Sequence, residues 1–272
     1  MGIHVIRPSI LRCDVTIRLL TLNLWNISEP LEPRYHALAA GLKKLRPDIV
    51  CLQEVYRDPK SGRSQAELVA DMCRLKHHVG ENGLSIVSSQ PVVRSAIEPL
   101  PQMPDDPPRE VLLAEFVMER QRLLVINTHL AYQPKMVEGR RKQAELMLEA
   151  IKRHAPKPGD CPKVLCGDFN DVADSPAIRL VLDDEIGFRD AFRECHPRSR
   201  GYTYSPPRNP YVDPSWTEDQ RIDYIFLTRG LKTKNCSVVF DNTRGLHFVS
   251  DHFGIFCSIQ FSLPRGESLR FR

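Results

Sequence analysis

The chain has 272 residues, 42% of them hydrophobic and 26% charged, which suits one large domain or two small ones with a sizeable core and excludes a disordered or low-complexity polymer. Its 38 Lys and Arg against 34 Asp and Glu leave a net charge of +4, too small an excess for a dedicated nucleic-acid binder, while a phosphate-bearing substrate is allowed. No apolar run approaches the roughly 20 residues of a membrane-spanning helix, and Arg7, Pro8, Arg12 and Asp14 interrupt any signal-peptide core, so the sequence predicts a cytoplasmic protein.

Residues 15–26, VTIRLLTLNLWN, begin by alternating apolar and polar as a half-buried strand does, and end at Asn23 and Asn26. After Pro33, RYHALAAGLKKL places Tyr35, Leu38, Leu42 and Leu45 on one helical face, and Pro47 stops the helix. DIVCLQEV (48–55) is a buried strand whose apolar run breaks at Gln53 and Glu54. LSIVSSQPVV (84–93) and EVLLAEFVME (110–119) read as strands, joined by a Pro-rich acidic surface connection, PLPQMPDDPPRE. RLLVINTHL (122–130) is a strand ending near His129, GRRKQAELMLEAIKRHA (139–155) an amphipathic helix, and KVLCGDFND (163–171) a strand ending in acid. The chain therefore carries two strand-helix-strand units, each delivering polar residues at strand ends. A short helix, SPAIRLVL, follows, and the remainder contributes RIDYIFL, NCSVVFD and HFGIFCSIQF as strands. Strands outnumber helices, and no linker divides the chain. The expected organisation is an N-terminal extension (1–15), one domain (16–262) and a basic C-terminal tail (263–272). The eight cysteines form no C-x-x-C pair, and three lie inside apolar runs; they are expected to be reduced, small buried hydrophobes rather than a disulfide frame or a zinc site.

Five places put polar groups where packing alone would use apolar ones: Asn23, Glu54, His129, the Asp168 and Asn170 pair, and the RIDY and SDH segments holding Asp223, Asp251 and His252. Singly, each has a structural explanation. Asn23 suits a strand-end turn, Glu54 a surface position, His129 a hydrogen-bonded core histidine, and GDFN and SDH suit turns. Together they need a shared cause, because a buried carboxylate costs several kcal/mol unless it is paired or bound to metal. A divalent cation provides one: Glu and Asp are hard oxygen ligands suited to Mg²⁺ or Mn²⁺. His129 and His252 could then donate to an anionic oxygen, Asp168 orient or deprotonate water, and Asn170 hold phosphate without adding charge.

The segments TLNLWN, LQEV, NTHL, GDFND, RIDYIF and SDHFGIF, in this order from Thr21 to Phe256, resemble the motifs of the endonuclease/exonuclease/phosphatase superfamily of Mg²⁺-dependent phosphoesterases. The resemblance implies an α+β fold, a four-layer sandwich of two mixed β-sheets with helices outside. It also implies roles: Glu54 as principal metal ligand, with Asn23 and Asp251 beside the metal; Asp168 as the group that activates water; and Asn170, His129 and His252 on the phosphate, as Asn23 would also be. Asp223 would orient His252, which polarises the phosphate or acts as general acid.

Substrate choice is less legible. The loop 193–216 mixes arginines with Tyr202, Tyr204, Tyr211 and Trp216, which suits stacked bases and backbone phosphates, and equally suits a solvated loop. The favoured expectation is a phosphodiesterase or nuclease acting on a nucleic acid or nucleotide. A phospholipid substrate ranks second, because RIDYIFL and THL are similar to the neutral sphingomyelinase branch of the superfamily. An inositol polyphosphate ranks third, because PSWTEDQRI partly resembles that branch's motif but is interrupted at Glu218 and Gln220. A catalytically dead scaffold of the same fold ranks last, since every expected site residue is present.

Overall fold

The computed structural model of the chain describes residues 16–118, 121–155, 161–242 and 247–262. In chain order the elements are β1 (Thr16–Asn23), α1 (Leu31–Leu45), β2 (Ile49–Val55), α2 (Gln65–Cys73), β3 (His77–Val79), β4 (Gly83–Ser88), β5 (Arg94–Pro99) and β6 (Glu110–Met118). There follow β7 (Gln121–His129), α3 (Val137–His154), β8 (Lys163–Asp168), α4 (Pro176–Asp183), β9 (Arg189–Asp190), α5 (Ala191–Cys195), β10 (Asp223–Leu227), β11 (Leu231–Val239) and β12 (Gly254–Phe261). They form two six-stranded sheets, ordered β11-β12-β1-β2-β4-β3 and β5-β6-β7-β8-β10-β9. Both sheets are mixed for the same reason. β1 and β2 run parallel through the crossover helix α1, β7 and β8 run parallel through α3, and the other neighbours are antiparallel.

Three apolar layers hold four layers of structure together. Leu19, Cys51, Phe116, Val125, Cys166 and Ile225 belong to the layer between the sheets. Leu38 and Leu42 of α1 and Val69 of α2 pack on the outer face of the first sheet, while Met147 and Ile151 of α3 and Ile178 of α4 pack on that of the second. Each such side chain, fully buried, contributes roughly 1.5–3 kcal/mol, so the expected helix-sheet-sheet-helix sandwich follows from three apolar faces finding partners.

Alternation along the strands explains where the polar residues go. On the face of β1 that meets the opposite sheet, Ile17 and Leu19 are core, then come Thr21 and Asn23; on β7, Leu123 and Val125 are followed by Asn127 and His129; on β8, Val164 and Cys166 precede Asp168. The inter-sheet space thus grades from hydrocarbon to amide and hydroxyl groups and then to ionisable ones. In the middle tier Gln53 Nε2 donates to Thr21 Oγ1 (3.1 Å) and to Asn127 Oδ1 (2.6 Å), and Asn127 Nδ2 donates to Leu52 O (2.8 Å). These bonds join the two sheets directly beneath the polar end.

Several expectations need correction. The first helix starts at Leu31 instead of after Pro33; Pro33 is accommodated because first-turn N–H groups have no helical partner. Helix α2 was not anticipated because it is short, and only Ala66, Val69 and Ala70 supply buried apolar positions. β5 is a largely exposed strand without an apolar run, so no pattern marked it. The Pro-rich connection before β6 is not purely surface: Asp106 and Arg109 form a buried bidentate ion pair at 2.7 and 3.0 Å. Finally, Cys236 and Cys257 are disulfide-bonded, contrary to the expectation that all cysteines are reduced. They are register partners on β11 and β12 with Cα atoms 4.2 Å apart, a proximity that 21 residues of separation conceal. Cys51, Cys73, Cys161, Cys166 and Cys195 are free. Cys13, the extension 1–15 and the tail 263–272 lie outside the described residues.

Candidate active site

Asn23 ends β1, His129 ends β7 and Asp168 ends β8, while Asp223 opens the antiparallel β10, so one edge of the sandwich collects all four. Two local devices complete the set. At Glu54 the β2–β4 pairing shifts register between Gln53 and Val55, and Glu54 takes a left-handed φ of 53°. This bulge matters for its side chain. Val50 and Leu52 face the helices, and strict alternation would send Glu54 after them; instead Val55 takes that apolar place and Glu54 turns to the cavity. Gly167, φ 137°, is the second device. A Cβ there would lie 2.0 Å from the Thr128 carbonyl oxygen, so only glycine permits the close approach of β7 and β8 that sets His129 opposite Asp168.

Asp168 Oδ2 is the focus of the cluster. Asn23 Nδ2 donates to it at 3.0 Å, and the Nε2 atoms of His129 and His252 stand at 3.3 and 3.6 Å. Its other oxygen accepts from the Asn170 N–H at 2.8 Å, with Asn170 in a left-handed conformation. His252 Nδ1 lies 3.0 Å from Asp223 Oδ2, which fixes the ring and leaves Nε2 toward Asp168. Asp168 and Asp223 are each 1% exposed. Burial raises the Asp168 carboxyl to about 7, against the pull of His252 and with Asp223 adding to the rise. Burial opposes a charge on His252, yet Asp223, Asp168 and Asp251 together hold its pKa well above that of free imidazole. His129 is pushed the other way, well below, by burial and by Arg109 and His252. One neutral and one cationic imidazole therefore flank a carboxyl poised near neutrality.

The donor set fits a hard divalent cation. Glu54 Oε1 shares the Asn23 amide with Asp168, accepting at 3.3 Å, and Glu54 Oε2 accepts from Asn26 Nδ2 at 3.1 Å. Among the described residues no ion pair is formed by Glu54 or Asp251. Burial, opposed by His252 and reinforced by Glu54, lifts the Asp251 carboxyl to about 6. Oxygen donors gathered in excess of positive charge are what Mg²⁺ or Mn²⁺ coordination uses. Asp168, Asp223 and His252 also offer ligand atoms within 4.8 Å of one another, but His252 is already oriented by Asp223. The Glu54 side, with no ion-pair partner of its own among the described residues, suits a cation better.

Glu54, His129, Asp168, Asn170, Asp251 and His252 all line one cavity of about 110 Å³, so the eight residues singled out in the sequence converge there, Asn23 and Asp223 by hydrogen bonds to its walls. From the loop 193–216 only Tyr204 and Trp216 reach it. Tyr211 stacks on Trp25 instead (5.1 Å), Arg208 lies over Phe253 (4.9 Å), and Arg193 donates to Ser199 O at 2.6 Å. Three supporting residues escaped the sequence reading. Tyr132 forms a further aromatic wall. Asn209 Nδ2 donates to the carbonyls of Ser250 and Asp251 at 2.8 and 3.1 Å, and Thr203 Oγ1 accepts from the Ile222 and Asp223 amides at 3.1 and 3.2 Å. Asn26 carried a signal, as the second Asn of TLNLWN; Asn209 and Thr203 sit in an irregular loop and carried none.

A sandwich of two mixed sheets with a carboxylate, imidazole and amide cluster at one edge defines a phosphoesterase-like architecture, and the known proteins that resemble the chain agree with it. The sequence pattern of the Endonuclease/Exonuclease/phosphatase family matches residues 20–252, and the chain belongs to that family. Protein angel homolog 2 of Danio rerio is 28% identical over an alignment 175 residues long that covers 57% of this chain and 30% of that protein. The probable CCR4-Not complex 3'-5'-exoribonuclease subunit Ccr4 of Vairimorpha ceranae is 23% identical over an alignment 169 residues long that covers 57% of this chain and 35% of that protein. The chain thus spans about a third of the length of these curated relatives. The crystal structure of D. rerio TDP2 with a single-strand DNA product superposes with a TM-score of 0.77 at 21% identity, over 90% of this chain and 99% of that one, a likeness of fold. No helix among the described residues is long and apolar enough to cross a membrane.

Proposed function

We propose that residues 16–262 form a metal-dependent phosphodiesterase that cleaves nucleic acid, with Asp168 as the group that takes the proton from attacking water. The observation that carries this reading is the convergence of Asn23, His129 and His252 on one buried carboxylate oxygen, beside two carboxylates with no ion-pair partner among the described residues. Mg²⁺, with Mn²⁺ as substitute, would be held by Glu54 with Asn23 and Asp251, and when bound supplies Lewis-acid stabilisation of charge on the phosphoryl oxygens. The chain's own residues do the rest. The Asn170 N–H and the Asn23 amide hold Asp168 in one orientation, so its proton-accepting oxygen faces the cavity. His252, aligned by Asp223, presents Nε2 as a donor to a phosphoryl oxygen or to the departing oxygen, and His129 and Asn170 offer further donors where charge grows.

Nucleic acid is favoured because the cavity walls are aromatic: Tyr132, half-exposed, and the partly exposed Trp216, which the buried Tyr204 backs, offer faces on which a base next to the cleaved phosphate can stack. The relative named as a probable exoribonuclease subunit, and the TDP2 structure with DNA product, support the same class. The free, mostly buried thiols favour a reducing, cytoplasmic setting, although the Cys236–Cys257 bond does not. The test is hydrolysis of single-stranded DNA, duplex DNA, RNA, sphingomyelin, inositol polyphosphates and an aryl phosphodiester by wild type and Asp168→Ala. Cleavage of a nucleic acid that disappears with EDTA and in the variant is expected. Turnover of sphingomyelin or an inositol polyphosphate alone would overturn the substrate reading, and full activity of Asp168→Ala the catalytic one.

A further inference from the structure

Two arginines outside the cluster occupy equivalent places. Arg34 is the fourth residue of α1 and Arg140 the fourth of α3, the helices that follow the site-bearing strands β1 and β7. Both are buried, 2% and 3% exposed, on helices whose other charges face solvent. Neither forms its main bonds along its own helix. Arg34 donates to the carbonyls of Leu24 and Ser28 in the loop leaving Asn23, and through Nε to Val249 O at 2.9 Å, just before the Ser250-Asp251-His252 segment. Arg140 Nη1 donates to Ala131 O (3.1 Å) and Gln133 O (2.7 Å) in the loop leaving His129, and Nε to Asp171 Oδ2 (3.0 Å), just after Asn170.

We infer that Arg34 and Arg140 are positioning residues, a duplicated pair of guanidinium clamps, each fastening the loop after one parallel strand to a second segment that carries site residues. The inference rests on the proposed phosphodiesterase reading for its effect on turnover, and on the hydrogen bonds alone for its effect on the loops. Burying a guanidinium is costly, and it persists only where its donors are satisfied. Here the partners are chiefly backbone carbonyls of irregular segments that have no ladder of their own. A planar fork can hold two or three such carbonyls in fixed directions, which a lysine ammonium on a flexible stem cannot do. Each clamp couples two site-bearing segments: Arg34 links the Asn23–Asn26 side to Asp251 and His252, and Arg140 links the His129 side to Asp168 and Asn170. A displacement of about 1 Å at such groups lowers turnover on the order of a hundredfold.

The variants are Arg34→Lys and Arg140→Lys, with Arg34→Ala and Arg140→Ala as the second pair. The Lys variants are expected to remain folded, to keep KM within about threefold and to lose about tenfold to a hundredfold in kcat. In the Ala variants, millimolar guanidinium is expected to restore part of kcat, whereas a merely loosened fold would show no rescue, since millimolar denaturant barely changes stability. Amide hydrogen exchange gives a readout independent of turnover: faster exchange confined to residues 24–28 and 247–251 for Arg34, and to residues 130–134 and 169–172 for Arg140. Unchanged local exchange overturns the clamps even if wild type hydrolyses none of the substrates above, a result that would count separately against the function. Unchanged kcat in an active enzyme, or a loss that tracks the folded fraction without guanidinium rescue, also overturns them.

Discussion

The two parallel strand-helix-strand units, β1-α1-β2 and β7-α3-β8, are built alike yet deliver different chemistry. Each supplies two polar side chains from its strand ends and a buried arginine from its helix. The first unit provides an amide and a partly exposed carboxylate, Asn23 and Glu54, whose oxygens meet amides and, among the described residues, no cation. The second provides His129 and Asp168, both buried, whose acidities are displaced strongly by the dry setting. The difference in burial separates the tasks: the partly exposed Glu54 suits ion coordination, and the buried His129 and Asp168 suit proton handling.

That contrast can be broken by experiment. Asp168→Asn should lower kcat by about 10³–10⁴ at any Mg²⁺ concentration, measured by steady-state kinetics across a metal titration. Glu54→Gln should lose less, on the order of 10²-fold, and recover part of it as Mg²⁺ is raised, with weaker Mn²⁺ binding by calorimetry. If the two variants respond identically to metal, the division of labour between the units is wrong. Gly167→Ala tests the close contact of β7 and β8 and should destabilise by roughly 3 kcal/mol in urea unfolding, since both a left-handed φ and a collision with Thr128 O oppose it. The smallest effect is expected from the tier joining the units. Gln53→Leu and Asn127→Leu should each cost about 1–3 kcal/mol, with the double variant less destabilised than the sum, because removing both partners leaves fewer orphaned groups.

Much of this was legible before any coordinates. Apolar runs ending in Asn23, His129 and Asp168 placed those residues at strand tips, and the motif resemblance implied the four-layer arrangement, with which the excess of strands over helices agreed. What the sequence hid was whatever depended on a long side chain doubling back or on irregular backbone. Arg34 and Arg140 head helices where charge ordinarily means solvent, and only the fold reveals that their stems turn inward. Asn209 and Thr203 lie between regular elements, where no period marks an inward residue. The short α2 and the exposed β5 bury too little apolar surface to leave a pattern.

The bulge at Glu54 has one more implication. It acts as a phase shift in a strand that otherwise counts in twos: Gln53 joins the inter-sheet tier, Glu54 enters the cavity, and Val55 resumes the apolar rhythm against the helices. Neighbours in the chain therefore answer to separate selective demands. The arrangement tolerates a change of identity at one of them far better than a change in their number. Ironing out the bulge would leave a more regular ladder and a tidier strand, and would point the carboxylate into hydrocarbon.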